Sequence, residues 1–197
     1  HGAEVIKVES TAGDLVRTMN GKSVTPGMGA KFLHLNRNKR SIVLDLKQPA
    51  GHAALMKLIE RADVLVWNVR PPAMARLKLA YDDVRAVNPK IIYCGMFGFG
   101  QDGRYRDKPA YDSIIQGAGG MAALHHRAAG EPRYVPMVVA DKVVGMIAVQ
   151  MITMAREAGA TVMIAGPDVT DHPGEYAGEG VTVVIGEHDI AVGAWAR

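Results

Sequence analysis

Cysteine is all but absent. Cys94 is the only one in 197 residues, so no internal disulfide can close, and a reducing, cytoplasmic setting is expected. It lies in the apolar run Ile91-Ile92-Tyr93-Cys94-Gly95-Met96, where a buried structural thiol is expected rather than a nucleophile. No apolar run approaches the ~18–20 residues that cross a bilayer, so no membrane partner is expected. The opening His1-Gly2-Ala3-Glu4 has no basic stretch ahead of an apolar one, so no signal peptide is read. An initiator Met is also lacking, and the start is read as cut away. Net charge is small, at +3. The cations that do cluster, in Asn36-Arg37-Asn38-Lys39-Arg40 with Lys47 nearby, read as a solvated loop before a strand or as an anion site. No aromatic platform accompanies them, so nucleic acid is not an expected partner.

What is present fits a soluble globular chain, with 48% apolar and 22% charged residues. Its length suits one ordinary domain. Residues 3–9 alternate and are β-branched, which predicts a strand. Residues 10–31 hold several glycines and little periodicity, which predicts a long loop. Ser41 to Leu46 reads as a second strand. Pro49 can open a helix, and Ala54, Leu55, Leu58, Ile59 and Ala62 follow at helical spacing. Val64-Leu65-Val66 reads as a short strand, broken over 68–72 before a helix with Met74, Leu77 and Leu79. Val84 and Val87 belong to another short helix, stopped before Pro89. Ile91 to Met96 is a strand, and Gly95, Gly98, Gly100 and Gly103 mark a mobile loop. Asp112 is placed to cap a helix through Ile114, Ile115 and Gly119. Asp141 is placed to begin a longer one. Alternating strands and helices imply an α/β fold with a parallel sheet.

Four blocks carry a family resemblance. The first is Gly2-Ala3-Glu4-Val5-Ile6-Lys7-Val8-Glu9 with Gly13-Asp14 and Arg17. The second runs from Asn36 to Lys47. The third is Ala62-Asp63-Val64-Leu65-Val66 with Asn68, Pro71 and Arg76. The fourth is Tyr111-Asp112 with Gln116 and Gly119-Gly120, then Ala140-Asp141 and Gly145. In order and spacing they resemble the class III CoA-transferases, a superfamily that includes formyl-CoA transferases and α-methylacyl-CoA racemases. The resemblance implies a Rossmann-like parallel sheet with flanking helices, as an incomplete large domain over residues 1–155. It also implies transfer of coenzyme A between carboxylic acids. CoA and acyl-CoA are then substrates, with no permanently bound cofactor and no metal.

The resemblance implies Asp141 as the nucleophile, working through aspartyl anhydride and aspartyl-CoA thioester intermediates. A helix N-terminus would favour its ionised form. On sequence alone, an Asp ahead of an apolar helix is simply a cap. The family's CoA contacts fall on Leu44, Asn68, Val69, Ala73 and Arg76, and Tyr111 joins this cofactor-binding set. In the racemases a His precedes the Asp where Tyr111 precedes Asp112 here. A tyrosine, with its reference pKa of ~10, is a poor base at neutral pH, which favours transferase over racemase. Ser10 stands where some members carry an Arg contact. His125, His126 and Arg127 read as solvated loop residues without a catalytic role.

Parts of the family pattern are missing: a first strand before His1, and the small domain and return segment after the helix that holds Asp141. The family's homodimer of two-domain chains cannot be built whole from this chain, and an unpaired sheet edge is expected. The tail changes character. Residues 156–197, with Ala165-Gly166-Pro167-Asp168 and Val184-Ile185-Gly186-Glu187, resemble the cobalamin-binding domain of radical S-adenosylmethionine enzymes. A fusion junction is expected between Thr153 and Ala158. Asp171-His172 lacks the spacing of cobalt-ligating histidines. The competing readings are an acyl-CoA racemase and a non-catalytic CoA- or cobalamin-binding fragment.

Overall fold

The computed structural model describes residues 3–19 and 23–159. The strands expected at 160–168 and 181–185, and the cobalamin-like motif, lie outside the described residues. Those described fall into two compact units interleaved along the chain. One takes residues 3–63 and 70–91, the other 64–69 and 92–159. Among them, no helix is long and apolar enough to cross a membrane.

The first unit is built on two parallel strands, β1 (Val5–Glu9) and β2 (Lys39–Val43), in the register Val5↔Lys39 to Glu9↔Val43. Its helices are α1 (Ala30–Leu35), α2 (Pro49–Ile59), α3 (Pro71–Arg76) and α4 (Tyr81–Val87). β2 begins and ends earlier than its apolar run predicts. The Leu44 N–H still donates to the Glu9 carbonyl, but Asp45 then turns the chain. The loop expected over 10–31 contains a 3-10 turn at Leu15–Arg17, and α1 opens at its end. Val16, Phe32 and Leu35 bury together there, with Met28 against them.

Glu9 organises this region. It is 4% exposed at the end of β1. The Arg17 Nε and Nη2 atoms donate to its two carboxylate oxygens at 2.7 Å each. Ser41 Oγ donates to it at 2.5 Å, and the Asp14 N–H at 3.0 Å. The Arg17 guanidinium also sits 3.9 Å from the centre of the Phe32 ring. The bidentate Arg17 pairing outweighs the cost of burial and holds the Glu9 carboxyl at about 2, against an ordinary 4.5.

The second unit pairs β3 (Val64–Trp67) with β4 (Ile92–Gly95), again parallel. All four β4 residues are buried. Its helices are α5 (Asp112–Ala118), α6 (Met121–Ala129) and α7 (Val139–Glu157). On α7 the buried positions are Gly145, Ala148, Ile152 and Ala155, spaced to form one face. Three of them pack with Ile92 and Cys94, and Val64, Val66, Met96 and Met151 close the cluster. Cys94 is thus structural, and burial pushes its thiol well above the usual range. His125, His126 and Arg127 are not in a loop. They lie on α6, a helix with no buried residue and hence no apolar stripe to reveal it.

Candidate functional site

In the first unit a cleft of about 670 Å³ opens between the turn before α2 and the end of α3. Two features shape its walls. Asp45 caps a tight turn: its carboxylate accepts the Lys47 N–H at 3.0 Å and its carbonyl accepts the Gln48 N–H at 3.0 Å. Gly51, in the first turn of α2, packs directly on that turn, and a Cβ there would collide with the Asp45 carbonyl oxygen. Opposite, α3 ends in a Schellman motif. The Lys78 N–H donates to the Ala75 carbonyl and the Leu79 N–H to the Met74 carbonyl, each at 3.0 Å. Glycine normally fills the left-handed position of this motif, yet Lys78 holds it here with φ 55°.

The cleft is lined by basic side chains and partly apolar walls. Lys47, His52, Arg76 and Lys78 line it together with Leu46, Ala73 and Leu77. His52 Nε2 lies 3.4 Å from the Lys78 carbonyl oxygen. Such a set suits a phosphate-bearing ligand with an apolar portion. Of the residues the family resemblance singles out, Ala73 and Arg76 line this cleft. Leu44 is half-buried just before the turn and is not among the lining residues. Sequence reasoning assigned no role to His52 or Lys78.

Two cations of the second block, Lys39 and Arg40, are engaged within the chain. Lys39 Nζ donates to Asn36 Oδ1 at 3.2 Å, and burial, with Lys7 close by, lowers its pKa. Arg40 pairs with Glu4 at 2.6 Å on the surface.

Asn68, Val69, Tyr111 and Asp141 belong to the second unit. Asn68 and Val69 are half-buried immediately after β3. Tyr111 is 70% exposed and occupies the N-cap position of α5. Asp112 was expected in that position, but it is the first residue inside the helix. Asp141 is the third residue of α7, not its first, and the N-cap residue is Val138. A valine has no side-chain acceptor for the free amides of the first turn. Asp112 supplies one from 29 positions upstream, its Oδ2 accepting the Asp141 N–H at 3.0 Å.

The same carboxylate is held in turn by Gln116, which is 3% exposed. Gln116 Nε2 donates to Asp112 Oδ1 at 2.5 Å and to the Met137 carbonyl at 3.1 Å. Its Oε1 accepts the Val135 N–H at 2.8 Å. Asp112, Gln116 and Asp141 are thus tied into one network, while the Tyr111 side chain stands exposed beside it. Asp141 stands in the first turn of a 19-residue helix, the end at which the helix dipole attracts negative charge.

Comparison with known proteins gives the family of the chain. The profile of CoA-transferase family III matches residues 1–162. The succinate–glutarate CoA-transferase of Agrobacterium fabrum is 40% identical over 160 residues, covering 78% of this chain and 40% of that protein. The formyl-CoA:oxalate CoA-transferase of Streptomyces avermitilis is 36% identical over 154 residues, covering 78% of this chain and 37% of that protein. A crystal structure of a CAIB/BAIF family protein from Brucella suis superposes with a TM-score of 0.72 at 36% identity, over 80% of this chain and 44% of its own. The chain spans about two-fifths of the length of these curated relatives. With its α/β fold, its four sequence blocks and this match over most of its length, the chain belongs to CoA-transferase family III.

Proposed function

We propose that this chain is the part of a class III CoA-transferase that carries the nucleophile and part of the CoA site. The observation that carries the reading is family membership together with the placement of Asp141 in the first turn of α7. An Asp141 oxygen attacks the thioester carbonyl of an acyl-CoA. The C–S bond breaks, CoA leaves as a thiolate, and a mixed anhydride remains. The thiolate attacks the aspartyl carbonyl and expels the donor acid as its carboxylate, giving an aspartyl-CoA thioester. An acceptor carboxylate attacks that carbonyl, releasing CoA thiolate again and forming a second anhydride. The thiolate then takes the new acyl group, and Asp141 returns as a free carboxylate. Each step exchanges one acyl leaving group for another, so no oxidant is needed and no water is consumed.

Arg76 and Lys47 in the cleft are read as phosphate contacts of CoA, with Ala73 on the apolar wall. Leu44, Asn68, Val69 and Tyr111 complete the proposed CoA-binding set. Two relatives bear names that specify succinate, glutarate, formyl-CoA and oxalate, which supports small carboxylic acids as donor and acceptor. Residues 1–155 are read as part of the large domain and 156–197 as an appended α/β segment; α7 runs on to Glu157, through the change of resemblance. A homodimer is the proposed assembly.

The test is adduct mapping in the full-length enzyme. Incubation with acyl-CoA followed by hydroxylamine or borohydride should modify Asp141 alone. Asp141→Ala should abolish transfer while CoA still binds. An adduct on another residue would refute the assignment.

A further inference from the structure

The start of α7 is held from outside the helix. Val138 offers its first turn no side-chain hydrogen bond, and the Asp141 amide is satisfied by Asp112 instead. The bond crosses 29 residues of chain, so it fixes the helix start relative to α5, which a local cap does not do. α5 grips the approach to α7 at further points. Gln116 binds both Val135 and Met137, and a Cβ on Gly117 would lie 3.1 Å from Tyr134 Oη. The segment that leads into Asp141 is therefore clamped on one side by Gln116 and Gly117, and at its end by Asp112.

We infer that Asp112 is the positioning residue of the nucleophile: by accepting the Asp141 N–H while bonded to buried Gln116, it sets where the Asp141 backbone, and hence its carboxylate, stands. The inference rests on the reading of Asp141 as nucleophile. Chemical need gives the bond its purpose. Asp141 must meet a thioester carbonyl, then present its own carbonyl to a thiolate and to a second acid. Attack at each stage depends on near-contact distances and alignment, and a misplacement of about 1 Å can cost about 100-fold in rate. A carboxylate in the first turn moves with its backbone, so anchoring that backbone amide anchors the arc its side chain can reach.

The experiment compares Asp112→Ala and Asp112→Asn in the full-length enzyme. Asp112→Ala removes both acceptors. It should lower kcat by about 100-fold and leave KM for acyl-CoA within about twofold, because the Arg76 cleft is untouched. Asp112→Asn keeps an oxygen for the Asp141 N–H and loses only the acceptor for Gln116. It should retain at least about a tenth of wild-type kcat. Hydrogen exchange at the Asp141 amide should accelerate in Asp112→Ala and stay near wild type in Asp112→Asn, measured below the melting temperature of each. A kcat for Asp112→Ala within about threefold of wild type overturns the inference, as does an equal loss in both variants. Unchanged amide exchange in Asp112→Ala also overturns it. Failure of the underlying reading looks different: the wild type itself then forms no adduct on Asp141, while amide exchange still reports on the hydrogen bond.

Discussion

Acid should loosen the first unit through a single carboxylate, and the size of the effect follows from Glu9. Its carboxyl titrates at about 2 in the folded chain, against an ordinary 4.5, chiefly because Arg17 donates two hydrogen bonds to it. At about 1.4 kcal/mol per pH unit, that difference is on the order of 3 kcal/mol. The folded value is the lower one, so this stabilisation is complete above pH 4.5. It drains as pH falls from 4.5 towards 2 and is gone below that. A carbon-detected NMR titration of the Glu9 carboxyl gives the folded pKa directly, and urea melts across pH 2–6 give the stability. Glu9→Gln keeps the shape and removes the charge. It leaves the buried face of Arg17 without its anion and should cost about 3 kcal/mol at pH 7. It should also flatten the acid limb relative to wild type. A Glu9 carboxyl that titrates above 4, or an acid limb of equal slope in wild type and Glu9→Gln, would refute the reasoning.

Three further outcomes are expected. Gly51→Ala forces a Cβ onto the Asp45 carbonyl; it should cost about 2 kcal/mol or more and weaken CoA binding, seen by thermal melting and calorimetric titration. Lys78→Gly relieves a left-handed backbone at a lysine with φ 55°. It should raise stability by about 1 kcal/mol while lowering CoA affinity by up to about fivefold, the yield of one exposed ion pair. A gain in both would deny Lys78 a place in binding. Finally, a 2-methylacyl-CoA incubated with the full-length enzyme in deuterium oxide should show no enzyme-dependent exchange at the α-carbon, since Tyr111 replaces the racemase base. Rapid exchange would restore the racemase reading.

Elements that carry their signal locally were legible in the sequence. Pro49 and the spaced apolar residues behind it give α2, and the short runs at Val64 and Ile92 give β3 and β4. α1 was missed because six residues hold too few turns for a period to show, and they follow a glycine-rich loop. α6 was missed because a helix that buries nothing needs no apolar face. At the site, residue identities were legible while their arrangement was not. Glu9, Arg17, Asp112 and Gln116 all stand in the family blocks. What Asp112 does depends on a hydrogen bond to Asp141, and what Gln116 does on contacts with residues 135–137. Neither partner can be read from spacing. Lys78 gave no signal, since a lysine just past a helix end is the commonplace reading of such a residue.

The interleaving of the two units constrains how the chain can be made and cut. The path leaves the first unit after residue 63, returns at 70 and leaves again after 91. β3 therefore emerges from the ribosome before its partner exists. Residues 68–91, which separate it from β4, take on the order of seconds to synthesise. During that wait its N–H and C=O groups have no ladder, and its apolar run is open to wrong partners. Neither unit can be excised as a continuous piece either. Cutting at 63 strands α3 and α4, and cutting at 91 separates β3 from β4. A minimal folding piece must run at least from β1 through α7, and a boundary search by nested truncation should find no soluble product that stops between 64 and 138.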